Sequence, residues 1–338
     1  MKEVIVTSIP EISAEIVQSP IPVPGPNEVL IKVVVSGCNP KDWKYPLFGK
    51  RSFNSGDDIA GYVEAVGEKV FEFKKGDRVA AFHEMGTPHG SFAEYAVAYD
   101  YTTFLLPPSV SFEEAATLPL VYLTASYGLF TVLKLPLPFQ NVTEDIPLLV
   151  YGASTSVGAF TVKLAKLAGI SPVIGVAGAG KEFAKSIGAD YVIDYRDNDH
   201  VAADIRAVLK PGQKLLHVFD TVSERGSLEN VAAAVDAGAM VSTILPGLKY
   251  PPLDAVTTLT HKDASVAWAH NGTAAEKNLA YVMLRMLTKW LADGAITAHP
   301  HIVKEGGLAG VADALKDLYD FKISAAKYVF RIADTPGL

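Results

Sequence analysis

Cysteine is almost missing. The 338 residues include one, Cys38, so no internal disulfide can form and no four-thiolate zinc lobe can be built. That usage fits a reducing compartment, and a cytoplasmic location is expected. No stretch approaches 18 uninterrupted apolar residues, so no transmembrane helix is expected. Positive charge is the minority: 30 Lys and Arg against 37 Asp and Glu leave a net charge of −7. An acidic chain lacks the basic face of a nucleic-acid binder, so neither nucleic acid nor membrane is expected as a partner. The first sixteen residues carry Glu3, Glu11 and Glu15 and no long apolar run, so no signal peptide is read there. Charged residues make up 20% and hydrophobic ones 49%, which excludes disorder, collagen-like repeats and coiled coil. The length suggests two domains.

What is present changes character along the chain. Residues 1–110 read as mostly β. Short Val- and Ile-rich runs at Glu28–Val35, Tyr62–Val66, Arg78–Ala81 and Phe92–Val97 are separated by turn signals such as Pro24-Gly25-Pro26 and Lys75-Gly76-Asp77. That spacing predicts a compact, partly open barrel or sandwich. Ser111-Phe112-Glu113-Glu114 has the form of a helix start, and Leu120–Leu133 suits a helix stopped by Pro136 and Pro138. From Pro147 onward strands and helices alternate through Ile244, which predicts a parallel, doubly wound sheet. A long amphipathic helix over 276–292, a helix at Val311–Tyr319 and a strand at Tyr328–Ile332 close the chain.

The strongest local signal is Leu149-Val150-Tyr151-Gly152-Ala153-Ser154-Thr155-Ser156-Val157-Gly158, a strand, a glycine turn and the start of a helix. Backbone N–H groups at such a helix start favour a pyrophosphate. Gly152 allows the tight turn and Gly158 a close helix–strand approach, while Ser154 replaces the usual middle glycine. Two competing readings remain. The turn is a plain strand-to-helix connection, or Ser154 is a nucleophile with His270 or His299 as base; the second lacks its closing glycine, because Ser156 stands there. The second strand ends in Val176-Ala177-Gly178-Ala179-Gly180-Lys181. No acid is present to take a ribose 2′-hydroxyl, and a lysine follows, which favours NADPH (NADP) over NADH.

These residues resemble the zinc-independent branch of the medium-chain dehydrogenase/reductase superfamily, the quinone and enoyl reductases. The matching segments run in order: Pro22–Ile31, Asn39-Pro40-Lys41-Asp42, Gly56–Gly61, Lys75–Val79, Gly90–Tyr95, Ala115–Pro119 and Ile187-Gly188-Ala189-Asp190. Tyr151–Gly158 and Asp194-Tyr195-Arg196 are most similar to fungal trans-acting enoyl reductases, which partner polyketide synthases. The resemblance implies an α/β fold: a Rossmann domain at 121–273 and a β-rich GroES-like catalytic domain made of 1–120 and 274–338. It also shows a departure. Zinc-dependent members place a Cys where this chain has Asn39 and a His-Glu pair where it has Asp57-Asp58, so no metal is expected, although Cys38, Asp57, His83 and His89 are conceivable ligands.

By resemblance, Lys44, Thr124 and Asn39 are the catalytic candidates, with Asp42 shaping the same pocket. Lys44 is implied to bind the cofactor ribose or substrate carbonyl or to relay a proton, and Thr124 to meet the nicotinamide side. Both are also cofactor-binding candidates, with Gly152, Ser154, Thr155, Ser156 and Val157 on the pyrophosphate, Lys181 and Tyr195 at the 2′-phosphate, and Val222, Leu245 and Pro246 along the dinucleotide. Tyr45, Phe48 and Trp268 line the substrate pocket or belong to the core. The expected activity is metal-free hydride transfer to the C=C bond of an α,β-unsaturated carbonyl, an enoyl or enone reduction. A quinone or aldehyde reductase and a non-catalytic NADPH-binding accessory protein are the alternatives. The expected partner is a small-molecule substrate, carried by a polyketide synthase, with the chain a monomer or homodimer.

Overall fold

The computed structural model describes residues 1–196, 198–247, 250–256 and 262–338. Its contacts divide the chain into two units, Met1–Leu120 with Ala267–Leu338, and Val121–Val266.

The first unit opens with an antiparallel pair, β1 (Lys2–Thr7) and β2 (Ser13–Gln18). The long strand β3 (Glu28–Gly37) leads into a helix, α1 (Lys41–Gly49). Pro46 lies inside it. A proline cannot donate to the carbonyl four residues back, and that carbonyl, on Asp42, instead accepts the Ser55 hydroxyl at 2.7 Å. Strands β4 (Asp58–Val66), β5 (Arg78–Phe82), β6 (Tyr95–Tyr99) and β7 (Thr103–Leu105) follow, then the short helix α2 (Phe112–Ala115). The strand expected at Phe92–Val97 is split between two partners. Val4 N–H donates to the Phe92 carbonyl, whereas β6 pairs with β3. Ser111 and Glu114 form a reciprocal capping box at the start of α2, as their spacing suggests.

Helix α3 (Pro119–Ser126) carries the chain into the second unit. The helix expected to run on to Leu133 changes to a π-helical turn at Tyr127–Val132. Gly128 sits so close to the Phe219 ring that a Cβ there would lie 2.1 Å from it. The Phe112–Val132 stretch has the length and hydropathy of a membrane span, but 89% of its apolar window is buried inside the protein. The alternation then runs β8 (Leu148–Tyr151), α4 (Ser156–Leu167), β9 (Val173–Val176), α5 (Lys181–Ser186), β10 (Tyr191–Ile193), α6 (Val201–Ala207), β11 (His217–Asp220), α7 (Ser227–Ala234), β12 (Met240–Thr243), α8 (Pro251–Val256) and β13 (Lys262–Asp263). All pairings are parallel, in the order β10-β9-β8-β11-β12-β13. Every residue of β8 and β9 is buried, as expected for strands covered on both faces.

The chain returns to the first unit at Ala267 with α9 (Trp268–Asn271), α10 (Ala274–Ala292), β14 (His301–Val303), α11 (Val311–Tyr319) and β15 (Lys327–Arg331). α9 packs on α10, and His270 lies against Phe82, Tyr99 and Tyr101. The final strand finds its sheet partner in β3, giving a seven-stranded sheet ordered β14-β15-β3-β4-β5-β7 with β6 also on β3. Val4, Ile31, Ile59, Phe92, Leu315 and Phe330 lie in its core.

Candidate active site

In the second unit, residues from five strand ends are tied together. β8 lies between β9 and β11; successive strands run outward from it on one side and then, after β10, on the other, the switch point where open parallel sheets take ligands. Gly152, at φ +82°, turns the chain off β8, and its N–H and that of Ala153 both donate to the Val176 carbonyl at 2.9 Å. A Cβ on Gly158 would lie 2.1 Å from the Gly152 carbonyl oxygen, so only glycine lets α4 start this close to the strand. Thr155 caps α4 by accepting the Gly158 N–H at 3.0 Å. Ser156 and Val157 begin the first helical turn, whose N–H groups have no carbonyl within the helix to reach. A pyrophosphate fits this cradle. Ser154 is buried in the same turn.

The turn is stapled to its neighbours. Thr221 Oγ1 donates toward the Tyr151 carbonyl at 2.8 Å and lies 3.0 Å from Thr155 Oγ1. Val222 Cγ2 would meet a Cβ on Gly152 at 2.6 Å, so Val222 lies directly over the turn. Asp220 is fully buried at the end of β11, where it accepts the N–H groups of Val222 and Ser223 and the Ser227 hydroxyl. Burial pushes its carboxyl up, against those hydrogen bonds. Ser223 Oγ accepts the Ile244 N–H at 3.2 Å, which ties β11 to the segment holding Leu245 and Pro246. On the other side, Ala177 N–H donates to the Ile193 carbonyl at 3.0 Å. Lys181, at the start of α5, reaches Asp194 at 3.6 Å, next to Tyr195 in the segment that follows β10. The Asp220 carboxylate and the Thr221 hydroxyl hold these strand ends together through hydrogen bonds that spacing does not reveal. Thr124 is buried on α3 in this unit, one turn before the π-helical segment.

In the first unit, Lys44 lies half-buried on α1, its ammonium 5.5 Å from the centre of the Trp43 ring. Tyr45 is exposed on the same helix, as is Phe48. Asn39 is buried. Its backbone N–H donates to Asp42 and its amide to Asp58, each at 2.7 Å. Around it lies a buried charge cluster. The Lys41 ammonium bridges Asp42, at 2.9 Å, and Asp57. Lys327 pairs with Asp58 at 2.5 Å, and the Leu120 N–H donates to Asp58 at 2.7 Å. Burial pushes Asp42 up to about 7 and Asp57 up to about 6, against the pull of Lys41. Burial alone would lower the Lys41 ammonium, but the two carboxylates carry it above its ordinary value. One cation between two carboxylates thus keeps its charge, while burial makes both carboxyls easier to protonate than exposed ones.

This donor set does not fit a catalytic zinc ion. Cys38 is packed in the hydrophobic core, and burial raises its thiol well above the ordinary range. The carboxylates of Asp42 and Asp57 already face the Lys41 ammonium. His83 is engaged at both ring nitrogens, with the Val97 carbonyl at 2.7 Å and with Thr87. Among the described residues no three His, Cys, Asp or Glu side chains gather as a metal site.

Residues 25–108 match the alcohol dehydrogenase GroES-like domain, and residues 156–285 match the zinc-binding dehydrogenase family. The trans-enoyl reductase fsr4 of Gibberella fujikuroi is 40% identical over 92% of both chains. The quinone oxidoreductase of Pseudomonas syringae superposes with a TM-score of 0.75 at 26% identity, covering 97% of this chain and 100% of that one. A mycobacterial protein solved with NADPH gives a TM-score of 0.77 at 24% identity, covering 97% and 99%.

Proposed function

The chain belongs to the medium-chain dehydrogenase/reductase superfamily, as an oxidoreductase with a nicotinamide cofactor, and from that premise we propose that it uses NADPH to reduce the activated C=C bond of an α,β-unsaturated carbonyl. The observation that carries this reading is the 40% identity to a trans-enoyl reductase along 92% of both chains.

When bound, the dinucleotide supplies the hydride that adds to the β-carbon. The protein's own residues hold and shape. Ser156 and Val157 offer N–H groups to the pyrophosphate, while Gly152, Ser154 and Thr155 form the turn and Val222 covers it. Lys181 and Tyr195 face the adenosine end, where Ala177–Gly180 offers no carboxylate to a ribose hydroxyl. Thr124, Leu245 and Pro246 belong to the nicotinamide end. Lys44 is the group assigned to the carbonyl oxygen, where a cation stabilises the negative charge that develops as hydride arrives. Asn39 acts through Asp42 and Asp58, fixing the start of the helix that carries Lys44. A proton added at the α-carbon completes the reduction. The small-molecule substrate is presented by a separate polyketide synthase.

A panel of an enoyl thioester, a quinone and an aldehyde, each followed by loss of NADPH absorbance, tests the reading. Turnover of the thioester is expected. Turnover of the quinone alone would favour the second reading, which the likeness to the Pseudomonas syringae quinone oxidoreductase supports. Tight NADPH binding with no turnover of any of the three would leave a non-catalytic binding protein.

A further inference from the structure

The turn after β10 gathers more charge than the pair Lys181 and Tyr195 accounts for. Asp194 Oδ1 accepts the Arg196 backbone N–H at 3.1 Å and its Nε at 3.0 Å, and Oδ2 accepts Nη2 at 2.7 Å. The same Oδ2 is 3.6 Å from Lys181 Nζ. Hydrogen bonding from Arg196 holds the Asp194 carboxyl well below the usual carboxylate range, so it stays ionised. A Cβ on Gly178 would lie 2.9 Å from the Tyr195 ring and 3.1 Å from Arg196 Cδ, so the ring and the arginine stem both cover the glycine backbone at the end of β9. Lys181, Tyr195 and Arg196 therefore surround one spot. It lies two strand positions from β8, about 10 Å from the glycine turn.

Two cations against one carboxylate leave this spot net positive. The guanidinium is a planar fork matched to phosphate oxygens, whereas an ammonium is a point charge. We propose that Arg196 binds the cofactor's 2′-phosphate together with Lys181, and that Asp194 is a positioning residue that aims the guanidinium. The proposal rests on the reading of NADPH as cofactor.

Calorimetric titration of the full chain with adenosine 2′,5′-bisphosphate and with AMP separates the two claims, because the ligands differ only in the 2′-phosphate. The unaltered protein is expected to prefer the bisphosphate by about tenfold or more. No preference would overturn the NADPH reading itself. Arg196→Ala is expected to weaken the bisphosphate about 10- to 100-fold, the loss typical of a charge-assisted hydrogen bond. It should leave AMP within about threefold, which also shows that the variant is folded, and should flatten the salt dependence of bisphosphate binding. A clear preference in the unaltered protein that survives Arg196→Ala intact would overturn the proposal while sparing the NADPH reading. Asp194→Ala should lower the bisphosphate preference and Asp194→Asn, which keeps an acceptor for the Arg196 N–H, should restore it. An unchanged preference in Asp194→Ala would overturn the positioning role.

Discussion

Removing the Lys327 ammonium should expose how the first unit tolerates its buried acids. Asp58 has no exposed side-chain surface, and Lys327 retains 3% of its own. The pair is 2.5 Å apart, and Asp58 also receives the Asn39 amide and the Leu120 N–H, each at 2.7 Å. In Lys327→Met those two donors remain but the counter-charge is gone. Breaking a buried pair in this way costs about 3–5 kcal/mol. The loss should therefore be about 3–5 kcal/mol at pH 7. Urea unfolding followed by tryptophan fluorescence reads this unit selectively, because Trp43, Trp268 and Trp290 all belong to it. Adding Asp58→Asn to Lys327→Met removes the stranded charge and should recover part of the loss at pH 7. A loss below about 1 kcal/mol, or a double variant no more stable than the single one, would refute the reasoning.

Further predictions concern the rest of the molecule. Burial lowers the His270 imidazole to about 3 from an ordinary 6.5, with His83 and Lys277 adding to the effect. Its contribution is complete above pH 6.5 and lost as pH falls toward 3, at about 1.4 kcal/mol per unit; His270→Phe should flatten the acid side of the stability profile between pH 6.5 and 4, and an unchanged profile would count against it. Asp42, pushed up to about 7 from an ordinary 3.8, works with the opposite sign. Its contribution is complete below 3.8 and is lost as pH rises through 7, so Asp42→Asn should steepen the same acid limb. In Gly128→Ala the new methyl meets the Phe219 ring at 2.1 Å, which should destabilise the second unit by about 1–3 kcal/mol, visible as a lower thermal midpoint by circular dichroism. Dialysis against a chelator should leave NADPH oxidation unchanged, and a loss of activity restored by added zinc would contradict the account of Cys38, His83 and Asp57.

Much of the second unit was legible because its signals are local. The alternation from Leu148 to Thr243 announces parallel strands, and Gly152 and Gly158 stand where strand and helix must nearly touch. The capping box of Ser111 and Glu114 was equally plain. α1 was not, because Pro46 reads as a breaker; the Ser55 hydroxyl that satisfies the orphaned Asp42 carbonyl comes from another segment. The strand ending near Tyr99 was displaced because residues 92–94 answer to β1 and residues 95–99 to β3. Tyr127–Val132 read as ordinary helix, since nothing in its composition foretells the Phe219 ring against Gly128.

The sequence by itself determined the two kinds of architecture, the tight glycine turn after β8 and the absence of a four-cysteine lobe, since hydrophobic period and glycine placement act within a few residues. The tertiary structure decided how the buried charges of the first unit pair. Lys41, Asp42 and Asp57 form one buried group, and Asp58 meets Lys327 across 269 positions of sequence. It also decided that Arg196 and Lys181 share one carboxylate. A buried charge is tolerable only beside its partner, and that partner is chosen by the packing of distant strands, which no local spacing encodes.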